Sequence, residues 1–349
     1  MKSEEIAKLA GVSRSTVSRV INNYGNVPPE TYKKVMDVIE QYHYEPNVSA
    51  RVLAGMGTNT IGFFIISVSD QENPKRIYQN NYYAPFLDAV VDRANALDYY
   101  VLVQTVYSVN DYAKIMQTFL QKRIDAGIII GIEKDNEIIK ELMHLKYPIA
   151  IIDYDVTSIN VNDDNAKKLS VINGTDYDGT VKAIRYLIEN GHKEIGIIKG
   201  RTTTFSGRQR YKAYIDTMNQ YGIPIKKQYV LSGDFLKNTA CQEVRKLIQQ
   251  SSLPTAMFIS NDEMALGVLE VLKEEGIKVP EDISIIGFDD VPLAAQIRPA
   301  LSTVRIPVYD MAVKAVDQVI AASKDGPDEF NAHYIPTELI IRETCSKRA

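Results

Sequence analysis

From Thr60 onward two hydrophobic patterns alternate along the chain. Short, nearly unbroken apolar runs occupy Ile61–Val68, Tyr100–Val106, Gly127–Gly131, Ile149–Tyr154, Ile195–Lys199, Thr255–Ser260 and Ile283–Phe288. Between them apolar residues recur at helical spacing, as over Phe86–Leu97, Tyr112–Gln121, Gly179–Asn190, Phe205–Tyr221 and Glu263–Glu275. A strand apolar on both faces needs helices on both faces. Strand–helix alternation therefore predicts an α/β protein built from doubly wound parallel sheets. The stretch is long for one such sheet, so two lobes are expected. Residues 1–58 carry only short helical patterns.

Those first residues have their own punctuation. Ser3 is placed to cap a helix over Glu4–Ala10, Gly11 supplies a turn, and Ser13 caps a second helix over Arg14–Asn22. Two short helices joined by a Gly-containing turn are the helix–turn–helix layout. Ile6, Leu9, Val12, Val17, Val20 and Ile21 fall on the inward faces, and a third helix, Pro29–Tyr42, adds Val35, Val38, Ile39 and Tyr42. The second helix carries Arg14 at its start and turns Ser15, Ser18, Arg19 and Asn22 outward, with Thr16 beside them. In this layout the second helix enters the major groove of DNA, where Arg bonds guanine bidentately and Ser serves several bases. Pro46–Asn59 reads as a linker. Within it Asn47–Ala54 favours a helix too short to stand alone, so it forms only when docked.

Composition narrows the function. Hydrophobic residues make up 45% and charged residues 24%, as in ordinary globular proteins. Two cysteines, Cys241 and Cys345, exclude a disulfide framework. No apolar run approaches the ~18 residues of a membrane span. Acids stand in MKSEEIAKLAG where a signal peptide is apolar, so a cytoplasmic protein is expected. The net charge of −4 divides into +1 over residues 1–58 and −5 beyond. One such head cannot hold DNA by counterion release, which predicts a homodimer on a two-fold site. His43, His144, His192 and His333 show no metal-ligand spacing. The acids and amides from Asn160 to Asn165 lack a calcium loop's spacing and read as a solvated loop. Nucleophile elbow, phosphate loop and complete dinucleotide fingerprint are all missing. No catalytic residue, metal or cofactor is expected.

Polar residues follow several strand runs: Asn261 and Asp262 after Ser260, and Asp289 and Asp290 after Phe288. Asp178 precedes one helical pattern, and Arg208 and Arg210 open another. Open α/β sheets bind ligands beyond the carboxyl ends of their strands, so these groups are expected to share a crevice. Carboxylates, amide and guanidinium suit a polyhydroxylated ligand. Helix capping by Asn261 or Asp289, and an Arg210–Asp289 ion pair, are the structural alternatives.

The segments AGVSRSTVSRVIN (Ala10–Asn22) and HYEPNVSARVLAG (His43–Gly55) resemble the DNA-binding head and hinge of the lactose-repressor/galactose-repressor (LacI/GalR) family. NGHKEIGIIKG (Asn190–Gly200), SGRQRYKAY (Ser206–Tyr214) and PTAMFISNDEMALG through VPEDISIIGFDD (Pro254–Asp290) resemble its core. The resemblance implies a head over 1–45, a hinge helix and linker over 46–59, and a two-lobed periplasmic-binding-protein-like core. Its first lobe would be 60–190 with 307–324 and its second 191–306 with 325–349. It implies a transcriptional regulator, a repressor of a carbohydrate-use operon, on a pseudo-palindromic double-stranded operator. A small-molecule effector, a sugar, would bind between the lobes. By motif match the effector contacts fall on Asp178, Arg210, Asn261 and Asp289, with Phe235 as an aromatic wall, Arg208 nearby, and Tyr82 and Tyr83 from the first lobe. Hinge residues Asn47, Ala50, Arg51, Leu53 and Ala54 would face the minor groove, with Leu53 as the wedge. A purine, a phosphorylated metabolite or a partner protein as effector, and a solute-binding protein without a DNA role, are the alternatives.

Overall fold

The computed structural model describes residues 1–21, 24–44, 57–67, 81–133, 137–250, 253–324 and 329–348. It divides into two compact units, Met1–Thr58 and Asn59–Ala349. Asn22 and the hinge residues Asn47, Ala50, Arg51, Leu53 and Ala54 lie outside the described residues.

The first unit holds α1 (Ser3–Ala10), α2 (Arg14–Ile21) and α3 (Pro29–Gln41). Gly11 closes α1 in the left-handed region at φ 65°. Helix α1 already begins at Ser3, and the Lys2 amide donates to the Glu5 carboxylate, so Ser3 is not its cap. Ile6, Ala7, Val17, Val20 and Val35 form a small core, with Val12, Ile21, Val38 and Ile39 packed at its edge. Leu9 and Tyr42 are exposed instead of joining it. Three short helices do not cover every apolar helical position.

The second unit holds two six-stranded sheets. The first contains β1 (Thr60–Ile66), β2 (Tyr100–Val106), β3 (Ala126–Ile130), β4 (Ile149–Ile152) and β5 (Leu169–Gly174). Helices α4 (Tyr83–Asn95), α5 (Tyr112–Leu120) and α6 (Glu137–His144) alternate with these strands. In the second half follow α7 (Asp176–Glu189), β6 (Ile195–Lys199), α8 (Phe205–Gln220), β7 (Val230–Ser232), α9 (Lys237–Gln250), β8 (Ala256–Ile259) and α10 (Asp262–Glu274). Then come β9 (Ser284–Asp289), α11 (Pro292–Gln296), β10 (Ser302–Arg305), α12 (Val308–Ser323), β11 (Asn331–Ile335) and β12 (Glu338–Ile340). The strand orders are β11-β5-β4-β3-β1-β2 and β12-β10-β9-β8-β6-β7. Every pairing is parallel except β10 with β12.

Phe63, Ile65, Ile128 and Ile152 of the first sheet are fully buried, as are Ile197, Phe258, Ile286 and Phe288 of the second. Each such side chain contributes about 1.5–3 kcal/mol by leaving water. Helix α7 packs on α8 and on the second sheet, whereas α12 packs on α4 and the first. Strand β11 pairs with β5 in the first sheet. The first and third crossings between lobes therefore fall at Thr175 and at Pro336–Thr337, and not after Asn190 and Lys324. These two crossings are bonded together: the Thr337 amide donates to Thr175 Oγ1 (3.0 Å), and Thr337 Oγ1 donates to the Thr175 carbonyl (2.9 Å). No helix among the described residues is long and apolar enough to cross a membrane.

Candidate functional site

In the head, α2 starts where Ser13 Oγ accepts from the Thr16 amide at 3.1 Å, as a capping serine should. Ser13 Oγ also lies 2.8 Å from Thr16 Oγ1 and 2.7 Å from Ser15 Oγ. Thr16 is thus tied to the cap, half-buried, while Arg14, Ser15, Ser18 and Arg19 are exposed. Arg14 Nη1 rests 3.3 Å from Glu4 Oε1 on α1. Val17 and Val20 anchor the opposite face, so the helix offers its polar side outward on a fixed base.

In the second unit a cleft of about 1020 Å³, counting its open mouth, lies between the lobes. Strand ends and helix starts line it, as the sheet geometry requires. At its floor Arg210 of α8 is buried. Nε donates to Asp176 Oδ1 at 2.7 Å, and Nη2 lies 2.7 Å from the same oxygen. Nη1 donates to the Ser260 carbonyl and lies 3.6 Å from Asp289 Oδ1. The Phe288 ring covers one face of the guanidinium, its centroid 3.7 Å from Cζ, and Phe235 stands 5.7 Å away.

Backbone conformation aims several of these groups. Asp289 and Asp290 both hold positive φ, 120° and 61°. Such residues persist only where their surroundings fix them. Arg342 Nη2 grips Asp290 Oδ1 at 2.5 Å and Arg305 Nε grips Oδ2 at 2.7 Å, which turns Asp289 into the cleft. Asp234 and Phe235 are likewise left-handed, and a Cβ on Gly200 would fall 2.1 Å from the Phe235 ring. The glycine makes room for that aromatic wall.

Across the cleft Asp153, after β4, reaches the start of α8. Its Oδ1 accepts from the Ser206 amide (2.9 Å) and its Oδ2 from Ser206 Oγ (2.7 Å). Two further pairs bridge the lobes: Glu133–Arg201 at 3.6 Å and Asp155–Arg208 at 2.8 Å. Burial, reinforced by Asp176, pushes the Asp153 carboxyl up to about 6, against the pull of the Ser206 bonds. Burial raises Asp289 as well, opposed by Arg210. Behind it, burial lifts Asp262 to about 7, although Thr303 Oγ1 (2.6 Å) and the Val291 amide (3.0 Å) donate to it. The Tyr82 hydroxyl is raised by burial and by Asp153 and Asp176.

Of the residues expected from sequence, Tyr82, Tyr83, Arg210, Phe235, Asn261 and Asp289 line the cleft. Asn261 also caps α10, its Oδ1 accepting from the Met264 amide at 3.0 Å. Asp289 does not cap the helix that follows it, since α11 starts after Val291. Asp178 is exposed: it lies two residues, some 200° of helix, beyond Asp176, which takes the inward position. Arg208 turns to Asp155 and the Thr203 carbonyl rather than into the cleft. Asp153, Asp176, Ser206 and Arg201 were not singled out from sequence. Among the described residues no cluster of His, Cys, Asp and Glu could hold a metal ion.

Residues 4–47 match the family model for bacterial regulatory proteins of the lacI family, and residues 184–345 match that for a periplasmic binding protein-like domain. The chain is 31% identical to the probable HTH-type transcriptional repressor ExuR of Bacillus subtilis, over 99% of this chain and 98% of that one. Among solved structures it is similar to the lac repressor dimer bound to operator and the anti-inducer ONPF, with a TM-score of 0.80, 24% identity and 99% of each chain covered. It is also similar to the transcriptional regulator CelR in its cellobiose complex, with a TM-score of 0.74, 24% identity and 99% of each chain covered. Head, two-lobed core and end-to-end similarity to curated repressors agree: the chain belongs to the lacI family of bacterial regulatory proteins and is a DNA-binding transcriptional regulator.

Proposed function

We propose that this regulator is a cytoplasmic homodimeric repressor, without catalytic activity, whose grip on a pseudo-palindromic operator is set by a sugar in the interlobe cleft. The observation that carries the effector reading is the cleft itself. It is walled by Tyr82, Tyr83 and Phe235 and studded with oxygen acceptors at strand ends. Aromatic faces cover the apolar side of a sugar ring, and carboxylates and amides accept from its hydroxyls. At the head, Arg14, Ser15 and Arg19 read bases, Thr16 and Ser18 support the helix or touch phosphate, and Asn22 is a further major-groove contact. Asn47, Ala50, Arg51, Leu53 and Ala54 form the hinge, and Leu53 wedges into the minor groove. The charge of +1 over residues 1–58 supports the dimer, since one nearly neutral head binds DNA weakly.

The test has two steps. Selection from random DNA should return a two-fold site. A thermal-shift screen of sugars should then find an effector that also changes binding to that site. A ligand at ~100 times its Kd adds about 2.7 kcal/mol, readable as a higher melting temperature. A purine or phosphorylated hit with every sugar silent refutes the sugar. Selection that returns no enriched sequence refutes the operator reading.

A further inference from the structure

The cleft's polar groups are not neutral bystanders: the chain's own carboxylates stand where an anion would dock. An arginine holds a phosphate or carboxylate through two parallel N–H donors, and a helix start holds one through its free amides. The donor edge of Arg210 formed by Nε and Nη2 is taken by Asp176, and Nη1 meets the Ser260 carbonyl and Asp289. Phe288 covers one face of the same group. At the start of α8, which faces the cleft, donors are taken as well. Its Ser206 amide and hydroxyl go to Asp153, and its Gly207 amide goes to Thr204 Oγ1 (3.1 Å). At the start of α10 the Met264 amide goes to Asn261. The other arginine lining the cleft, Arg201, sits with Glu133. No lysine is among the described residues that line the cleft.

We propose that the cleft takes an uncharged or amine-bearing effector and excludes phosphorylated and carboxylated ones. This rests on the reading of the cleft as the effector site. An incoming anion would have to displace Asp176 from Arg210 or Asp153 from Ser206, and each displaced carboxylate would remain in the cleft beside it. Hydroxyl donors face no such conflict, because Asp153 and Asp289 accept from them. A protonated amine is drawn by the same two carboxylates.

Titration calorimetry on the full chain tests this with matched sets: one aldohexose skeleton as the neutral sugar, its 2-amino form, its uronate and its 6-phosphate, repeated over several skeletons, with purine bases alongside. For the skeleton that binds, the neutral or amino form should bind at least about tenfold more tightly than its uronate or phosphate, a gap of about 1.4 kcal/mol. Asp153→Asn keeps the shape and removes one cleft charge, and should narrow that gap severalfold. A uronate or phosphate binding as tightly as its neutral partner, or a gap unmoved in Asp153→Asn, overturns the exclusion while leaving the sugar effector intact. A purine base binding with all sugars silent overturns the sugar and sustains the exclusion. Silence from every probe overturns both.

Discussion

Asp153→Asn should stabilise the protein by an amount that grows from about pH 4 and is complete above about pH 6. Asp153 is a half-buried acid whose two Ser206 donors do not offset desolvation and the neighbouring Asp176 charge. Its carboxyl therefore loses its proton near pH 6 in the folded state, against 3.8 in an unfolded chain. Between those values the folded state holds the extra proton, so this residue's contribution to stability falls as pH rises, and the full penalty applies above about pH 6. Roughly two pH units at ~1.4 kcal/mol each give a penalty of about 3 kcal/mol. Asparagine keeps an acceptor for Ser206 and carries no charge. A unit of about 290 residues unfolds with an entropy near 0.6 kcal/mol/K, so removing 3 kcal/mol raises its melting temperature by about 5 °C. Differential scanning fluorimetry of both proteins from about pH 4 to 8 measures this. The curves should converge at the acid end, separate between about pH 4 and 6, and run parallel above that. Equal separation at all pH values, or a less stable variant at pH 7.5, would refute the assignment of Asp153 as an uncompensated charge.

Other substitutions probe neighbouring parts. Arg210→Met should cost about 3–5 kcal/mol in urea unfolding, because Asp176 and Asp289 lose the charge they face. Gly200→Ala should weaken effector binding while costing about 1–3 kcal/mol of stability, since the new methyl group displaces the Phe235 ring; unchanged affinity in calorimetry would mean the ring is not a wall of the site. Arg19→Ala should cost about 1–3 kcal/mol on the selected operator and relax preference at one base. Equal losses on operator and random DNA in gel shifts would make Arg19 a phosphate contact.

Much of this was legible because it is local. Gly11, the Ser13 cap and the valines at helical spacing fix the head within a few residues of one another. The continuous apolar runs marked the central strands, but β11 alternates partly buried and exposed positions and its sequence, NAHYI, is half polar. An edge strand covered on one side leaves no unbroken run. The rule that polar groups follow strand ends found Asn261 and Asp289. It missed Asp153 because the apolar run Ile149–Tyr154 conceals it, while β4 stops at Ile152 and Asp153 turns away at φ 61°. Choosing between Asp176 and Asp178 needed the rotation of α7 about its axis. That is set by packing on the second sheet, which no local pattern records.

The bridges described between the lobes rank differently by hydrogen bonding than by formal charge. On the second lobe all arise between Arg201 and Arg208; on the first they come from the segments after β3 and β4. Glu133–Arg201 and Asp155–Arg208 are partly exposed, and such pairs contribute about 0–1 kcal/mol and weaken with salt. Asp153–Ser206 joins a half-buried carboxylate to two donors, and a hydrogen bond to a charged group contributes about 1.5–3 kcal/mol. The contact without a formal ion pair should therefore dominate lobe closure. An effector whose binding needs closed lobes should lose about 10- to 100-fold in affinity with Ser206→Ala, but within about threefold with Arg208→Ala. Calorimetry at low and high salt separates the two. If Arg208→Ala or added salt moves affinity more than Ser206→Ala, the surface charges hold the lobes and the Asp153–Ser206 contact does not.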